Sequence, residues 1–238
     1  MGKKILIAVP CMDQVPAPFM QSIAMIQKGD NSCAIAVQMG SLVYTSRNDL
    51  GRKAIEDEYD FVMWFDSDMV FKQDTLLRML QVMDDNNIDF LTGLYFRRQP
   101  PFTPTIFDQL DVEGEWNHTV DEETGEETKL FTPSGTVTHH NIDKVPDGLC
   151  KIAGCGFGCV LVKTDVLFEV QVAFGTMFNP FLGIGEDLAF CWRARHLGYD
   201  IWLDPSIECG HVGYSVINRS FYNVYSNAHK QKEDAENV

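Results

Sequence analysis

The stretch DFVMWFDSDMVF, Asp60 to Phe71, constrains the fold more than any other segment of this chain. Five apolar residues, Phe61 to Phe65, run directly into two carboxylates placed one residue apart, Asp66 and Asp68. A short, wholly apolar run bounded by polar sequence predicts a strand buried on both faces. Positions two apart on an extended chain face the same way, so Asp66 and Asp68, with Ser67 between them, project together from the strand's carboxyl end. Open α/β sheets bind their ligands at that end. Two carboxylates so close repel each other, and a divalent cation relieves the repulsion.

The segments around this strand predict its neighbours. Lys4 to Pro10, Cys33 to Met39 and Ile88 to Phe96 share its β-type composition, and helical periodicity fills Asn48 to Glu58 and Gln73 to Met83. Such alternation implies an α/β fold with a mixed, mainly parallel sheet flanked by helices. Nine acidic residues and no lysine or arginine occupy 108–127, with Glu113-Gly114 and Thr124-Gly125 as turn signals. The segment 108–132 therefore reads as an acidic, solvated hairpin or loop inserted into the domain. KIAGCGFGCVLVKTDVL predicts a glycine-rich strand and a short helix. GIGEDLAFCWRARHLG predicts a helix with acids in its first turn, arginines later and Gly198 as its stop. A last strand spans Tyr199 to Leu203. One domain over 1–228 and a polar tail without structure over 229–238 complete the expectation.

Charge and cysteine usage exclude some partners. With 34 acidic and 19 basic residues the formal charge is −15, which disfavours nonspecific binding to nucleic acid or to anionic membrane. An anionic substrate would then need a cation to mediate its contact. No apolar run reaches the ~20 residues of a membrane-spanning helix. The opening MGKKILIAVPC is too short for a secretory signal and reads as the first strand. Seven scattered cysteines suit reduced thiols in a cytoplasm, and Cys150, Cys155 and Cys159 lack zinc-site spacing.

The pieces IAVP, SRNDLGRKAIE, FDSDM, GLYFRRQPP, GCGFGCVLVK, GEDLAFCWRARHLGYDIWLDPS and GHVG occur in an order that resembles the family 2-like glycosyltransferases of the GT-A fold. The likeness spans Lys4 to Tyr214 and is greatest to short bacterial and phage-borne members. It implies a Rossmann-like sheet and a nucleoside-diphosphate-sugar donor of UDP or GDP type. It also implies an acceptor that the sequence does not name, and a bacterial cytoplasm, in a cell or from a phage or prophage, as the setting. By resemblance Asp66, Asp68 and His211 hold Mn²⁺ or Mg²⁺ on the diphosphate, a donor set suited to such ions. Asp187 is the implied base toward the acceptor hydroxyl, and Glu186 orients acceptor or donor. Arg47 and Asn48, at the start of a predicted helix, face the nucleotide, and Pro10 opens the nucleobase pocket. Arg98, with Arg97 beside it, and Gly156, in the alternating Gly154, Gly156 and Gly158, are further donor or acceptor contacts. Trp64, Trp192 and Trp202 read as core.

Three other chemistries fit parts of this pattern. A sugar-phosphate nucleotidyltransferase would share the nucleotide and the metal. A haloacid-dehalogenase-like phosphatase would use Asp66 as nucleophile and Asp68 as its acid/base partner. That motif ends a first strand, however, and here it follows at least two. A binding protein that keeps the fold without turnover is the remaining alternative.

Overall fold

The computed structural model describes residues 2–40, 42–120, 127–213 and 216–236. Its elements in chain order begin with β1 (Lys4–Cys11), α1 (Ala17–Ala24), β2 (Ser32–Met39), α2 (Val43–Glu56), β3 (Phe61–Phe65), β4 (Met69–Val70), α3 (Thr75–Asn86) and β5 (Phe90–Leu94). There follow β6 (Ile106–Val120), β7 (Glu127–Asn141), β8 (Cys150–Ile152), β9 (Gly154–Cys155), β10 (Cys159–Lys163) and α4 (Thr164–Phe174). The chain closes with α5 (Glu186–His196), β11 (Ile201–Glu208), β12 (Gly210–Val212), β13 (Val216–Ile217) and α6 (Arg219–Glu236).

A seven-stranded sheet in the order β2-β1-β3-β10-β5-β11-β8 forms the centre. Strands β1, β2, β3, β5 and β11 run one way, and β8 and β10 run against them. The pleat sorts the apolar residues onto two faces. Leu6, Ala8, Val62 and Trp64 pack with the core-facing residues of α2, α4 and α5, whereas Ile5, Ile7, Val9, Met63 and Phe65 pack with α1 and α3. Every residue of β3 is buried, as its unbroken apolar run predicts.

Several boundaries differ from the sequence expectation. Helix α2 begins at Val43, so Arg47 and Asn48 lie inside it and their backbone N–H groups are not free. The glycine-rich strand is three short strands, because Gly156, Phe157 and Gly158 leave the ladder between β9 and β10. Strand β11 runs on through Asp204 and Pro205 to Glu208, with its register broken where proline cannot donate. The acidic insertion is wider than 108–132: β6 (106–120) and β7 (127–141) pair antiparallel, and the base of the pair is not solvated. Leu110 and Phe131 are buried in the main core, and Arg195 donates to the Leu110 carbonyl. Glu113-Gly114 is a register irregularity inside β6, not a turn. There the Glu113 carboxylate accepts from the backbone N–H and hydroxyl of Thr136. The Thr124-Gly125 turn lies outside the described residues. The segment 229–236, expected to lack structure, continues α6, and 237–238 lie outside the described residues. No helix among the described residues is long and apolar enough to cross a membrane.

Helix α5 ends where its sequence says it should. Gly198 takes φ +93°, its N–H reaches the Arg195 carbonyl, and the N–H of Tyr199 reaches that of Ala194. Both bonds cap carbonyls the helix leaves unpaired.

Candidate active site

The chain leaves β1 toward β2 on one side and returns to β3 on the other, which opens a crevice at the carboxyl ends of β1 and β3. A cleft of about 590 Å³ occupies it, lined by Pro10, Cys11 and Met12 from the end of β1, Val43, Ser46 and Arg47 from α2, and Asp66, Ser67 and Asp68 after β3. Arg98, Glu186 and His211 complete the charged wall. Eight residues singled out from sequence thus meet in one cavity: Pro10, Arg47, Asp66, Ser67, Asp68, Arg98, Glu186 and His211.

Local structure brings them there. After β3 the N–H of Met69 closes a turn onto the Asp66 carbonyl, which holds the two aspartates at the sheet's end. Strand β4 then pairs with β12 so that Met69 stands opposite His211, and the N–H of Val212 reaches the Asp68 carbonyl at 2.8 Å. A two-residue strand therefore delivers a histidine from the far end of the chain to the second aspartate.

The two aspartates have different partners. The Arg47 guanidinium donates to Asp66 Oδ1 at 2.6 Å and to Glu186 Oε1 at 3.3 Å. Its carbon lies 5.3 Å from the Phe157 ring and 5.7 Å from the Trp64 ring. Burial works against its charge, but the charges of Asp66 and Glu186 outweigh burial and hold the proton more firmly than usual. The Arg47 side chain is 2% exposed, and its buried Nη1 has no partner among the described residues.

Asp68 instead meets Arg98 at 2.6 Å and His211 Nε2 at 3.3 Å. His211 Nδ1 lies 2.9 Å from the Phe96 carbonyl, which can only accept, so Nδ1 carries a hydrogen. The neutral ring then offers a lone pair at Nε2 to a carboxylate that also offers only lone pairs. A proton or a cation must lie between them. Burial opposes the imidazolium, yet the Asp68 hydrogen bond and charge prevail and raise the His211 pKa, which favours a proton there. Burial likewise works to raise the Asp68 pKa, and His211 and Arg98 together bring it below the usual carboxylate range.

A ring nitrogen fixed by a carbonyl on its other side, facing a carboxylate, is a donor pair of the kind that binds divalent metals. Hard cations such as Mg²⁺ often take one or two carboxylates from a protein and the rest of their oxygens from phosphate and water. Asp68 and His211 fit that role. Asp66 is turned to Arg47, and among the described residues no group of three His, Cys, Asp or Glu converges to hold a metal.

Glu186 and Asp187 open α5 behind Gly185 and divide as adjacent helical residues must. Glu186 stands on the cleft wall, whereas Asp187 is not among the lining residues and accepts from the N–H of Leu188 at 2.8 Å. Burial of its carboxyl, with Glu186 nearby, pushes the Asp187 pKa up to about 6 despite Arg47.

Two expected contacts serve packing instead. Asn48 is buried, with its amide donating to Asn179 Oδ1 at 2.8 Å and accepting from the N–H groups of Met177 and Phe178. Arg193 clamps the same loop through the carbonyls of Met177 and Asn179, and the pair fixes the approach to α5. Gly156 makes room for a tyrosine: a Cβ there would lie 2.1 Å from Tyr95 Oη. Arg97 points to the hairpin, at 3.2 Å from Asn141 Oδ1. Trp64 and Trp192 are core, as expected, while Trp202 is only partly buried, beneath the Lys151 ammonium.

Sequence reasoning passed over Tyr95 and Phe96. The Phe96 carbonyl sets the His211 tautomer, and the Tyr95 ring meets the imidazole edge to face at 5.7 Å while its hydroxyl accepts from the N–H of Gly158. Their only signal was adjacency to Arg97 and Arg98 in one motif.

No protein-family model and no curated protein matches the chain. Among solved structures it is similar to A197 from STIV, with a TM-score of 0.57 and 18% identity, over 88% of this chain and 86% of that one. At that identity the likeness extends to the fold alone.

Proposed function

We propose that the chain is a metal-dependent glycosyltransferase of GT-A type that moves a sugar from a nucleoside diphosphate to an acceptor hydroxyl. The observation that carries the reading is the Asp68 and His211 pair, two lone-pair donors facing each other in a cleft that also holds Arg47, Asp66 and Glu186. A nucleoside diphosphate-sugar is an anion, and a chain of charge −15 can admit it through Arg47, Arg98 and a bound cation. Asp68 and His211 would hold Mn²⁺ or Mg²⁺, which would neutralise charge on the departing diphosphate.

The protein's own groups do the remaining work. Arg47, rigid between Phe157, Trp64 and two carboxylates, presents a fixed positive charge on the cleft wall beside the diphosphate. Asp187, with a pKa of about 6, is mostly ionised at neutrality and still basic enough to suit a general base. Partly exposed although it does not line the cleft, it would take the acceptor proton as the acceptor oxygen bonds the anomeric carbon. The bond from that carbon to the diphosphate oxygen breaks, and its electron pair leaves with the nucleotide. Glu186, tied to Arg47, orients the reacting groups.

Incubation with UDP- and GDP-sugars, Mn²⁺ and an acceptor panel tests the reading through its products. Nucleoside diphosphate and glycosylated acceptor are expected. In separate incubations, nucleotide-sugar and pyrophosphate formed from a nucleoside triphosphate and a sugar 1-phosphate would identify a nucleotidyltransferase, and inorganic phosphate released from a sugar phosphate a phosphatase.

A further inference from the structure

A second cavity, of about 600 Å³, adjoins the first and shares Pro16, Asp68 and Arg98 with it. Its character is different. Away from the shared wall it is lined mainly by apolar side chains, chiefly Phe102, Ile217 and Phe221, with Gln99 the one polar side chain there. Phe102 adopts φ +55°, a backbone region that a bulky residue enters only under strain. Its ring stands edge to face with Phe221 at 5.0 Å and with Tyr225 at 4.8 Å. Helix α6 is thereby docked on the 96–102 segment, where Tyr222 also stacks on Phe96 at 4.8 Å. Phe221 remains 40% exposed at the cavity.

We propose that this lobe binds the acceptor, and that the acceptor carries an aromatic ring next to its reactive hydroxyl. The inference rests on the transferase reading above. The lobe opens at Asp68, so a molecule seated in it presents its near end to the metal-binding pair and the charged wall. A bare sugar would set most of its hydroxyls against Phe102, Ile217 and Phe221, with only Gln99 to bond them away from the shared wall, an unfavourable burial. A ring instead meets two phenylalanines able to pack edge to face or offset against it. The occupant is therefore an aryl-bearing acceptor. The donor's diphosphate belongs to the polar lobe, where Arg47 and Glu186 lie.

Saturation-transfer NMR and titration with p-nitrophenyl, n-octyl and methyl hexosides test this directly. Aryl hexosides are expected to bind ~10-fold more tightly than the methyl compounds, with saturation strongest on the ring protons. Phe221→Ala is expected to abolish the preference. The melting temperature of that variant, and its Mn²⁺-dependent shift with nucleoside diphosphates, report separately on the fold and on the donor lobe. Equal affinity for aryl and methyl hexosides, or an aryl preference surviving in Phe221→Ala, would overturn the inference while nucleotide binding keeps the transferase reading. A stronger response to n-octyl hexosides would overturn the aromatic class. Aryl binding by a protein that takes up no nucleoside diphosphate would end the acceptor role together with the transferase.

Discussion

Asp66 and Asp68 stand one residue apart in one cleft, yet they take different kinds of partner. Asp66 pairs with Arg47, a side chain 2% exposed and wedged between aromatic rings, while Asp68 pairs with Arg98, which is 53% exposed, and with a histidine. The arginine of the first pair is fixed in the core, and that of the second reaches into solvent, while both carboxylates line the cleft. A buried guanidinium loses much when its carboxylate is removed, since the charge that remains has no water to turn to. An exposed pair is screened and can part at little cost. On the proposed reading, Asp66 and Arg47 hold the cleft's charge in place, and Asp68 and His211 would trade Arg98 or a proton for a metal ion.

The largest expected effect lies on the buried side. Asp187→Asn should lower turnover by ~10³-fold, equivalent to about 4 kcal/mol, and leave nucleotide binding intact. Wild-type turnover should fall as pH drops through about 6, where Asp187 takes up its proton. Steady-state kinetics of the variant and the wild-type pH profile check both. Normal turnover in the variant would move the base to Glu186, which lines the cleft. Stability carries the opposite sign. A carboxyl whose folded pKa is raised contributes stability below its ordinary pKa of 3.8, and that contribution is lost as pH rises through about 6. Asp187→Asn should therefore gain melting temperature over wild type at pH 7.5 and lose that advantage near pH 4.

Arg47→Ala should cost about 3 kcal/mol in a denaturant titration, because it strips a buried partner from Asp66 and Glu186. Arg98→Ala should cost less than about 1 kcal/mol. Equal losses would break the comparison between the two pairs.

His211→Ala sharpens it. Removing one of two facing donors should weaken Mn²⁺ binding by ~10 to 100-fold in calorimetry, with the fold little changed. In the wild type that binding should strengthen as pH rises, since His211, whose folded pKa is raised, must give up its proton to the metal. The stability this proton brings is complete below the ordinary histidine pKa of 6.5 and is lost as pH rises through the higher folded value. Melting curves with and without Mn²⁺ across pH 6 to 8.5, a range of about one unit or more around neutrality, should therefore diverge.

Much of this was legible in the sequence, for reasons particular to each element. The β3 run has a single period-free reading as a buried strand, and its two aspartates inherit their direction from the pleat. The α5 helix carries its own start and stop. What stayed hidden depends on contacts between distant segments. Asn48 looked like a binding residue because a polar side chain beside Arg47 gives no hint that the 177–179 backbone has claimed it. Gly156 looked like a place for a ligand to approach because a glycine does not say which neighbour needs the space. The pairing of β4 with β12, two or three residues long, leaves no periodic trace, yet it sets His211 against Asp68. The base of the acidic hairpin was read as solvated because its charges outnumber the few buried positions, Leu110 and Phe131, that tie it to the core.

A thermal-shift panel of UDP, GDP, ADP, CDP and dTDP, each with and without Mn²⁺, tests the proposed site most directly. A ligand at 100 times its dissociation constant stabilises a fold by ~2.7 kcal/mol, a readily measured shift. One nucleoside diphosphate should raise the melting temperature only when Mn²⁺ is present, and Asp68→Ala should lose that rise. No shift with any nucleotide, or a shift indifferent to Mn²⁺ and to Asp68, would contradict a metal-dependent donor site in this cleft.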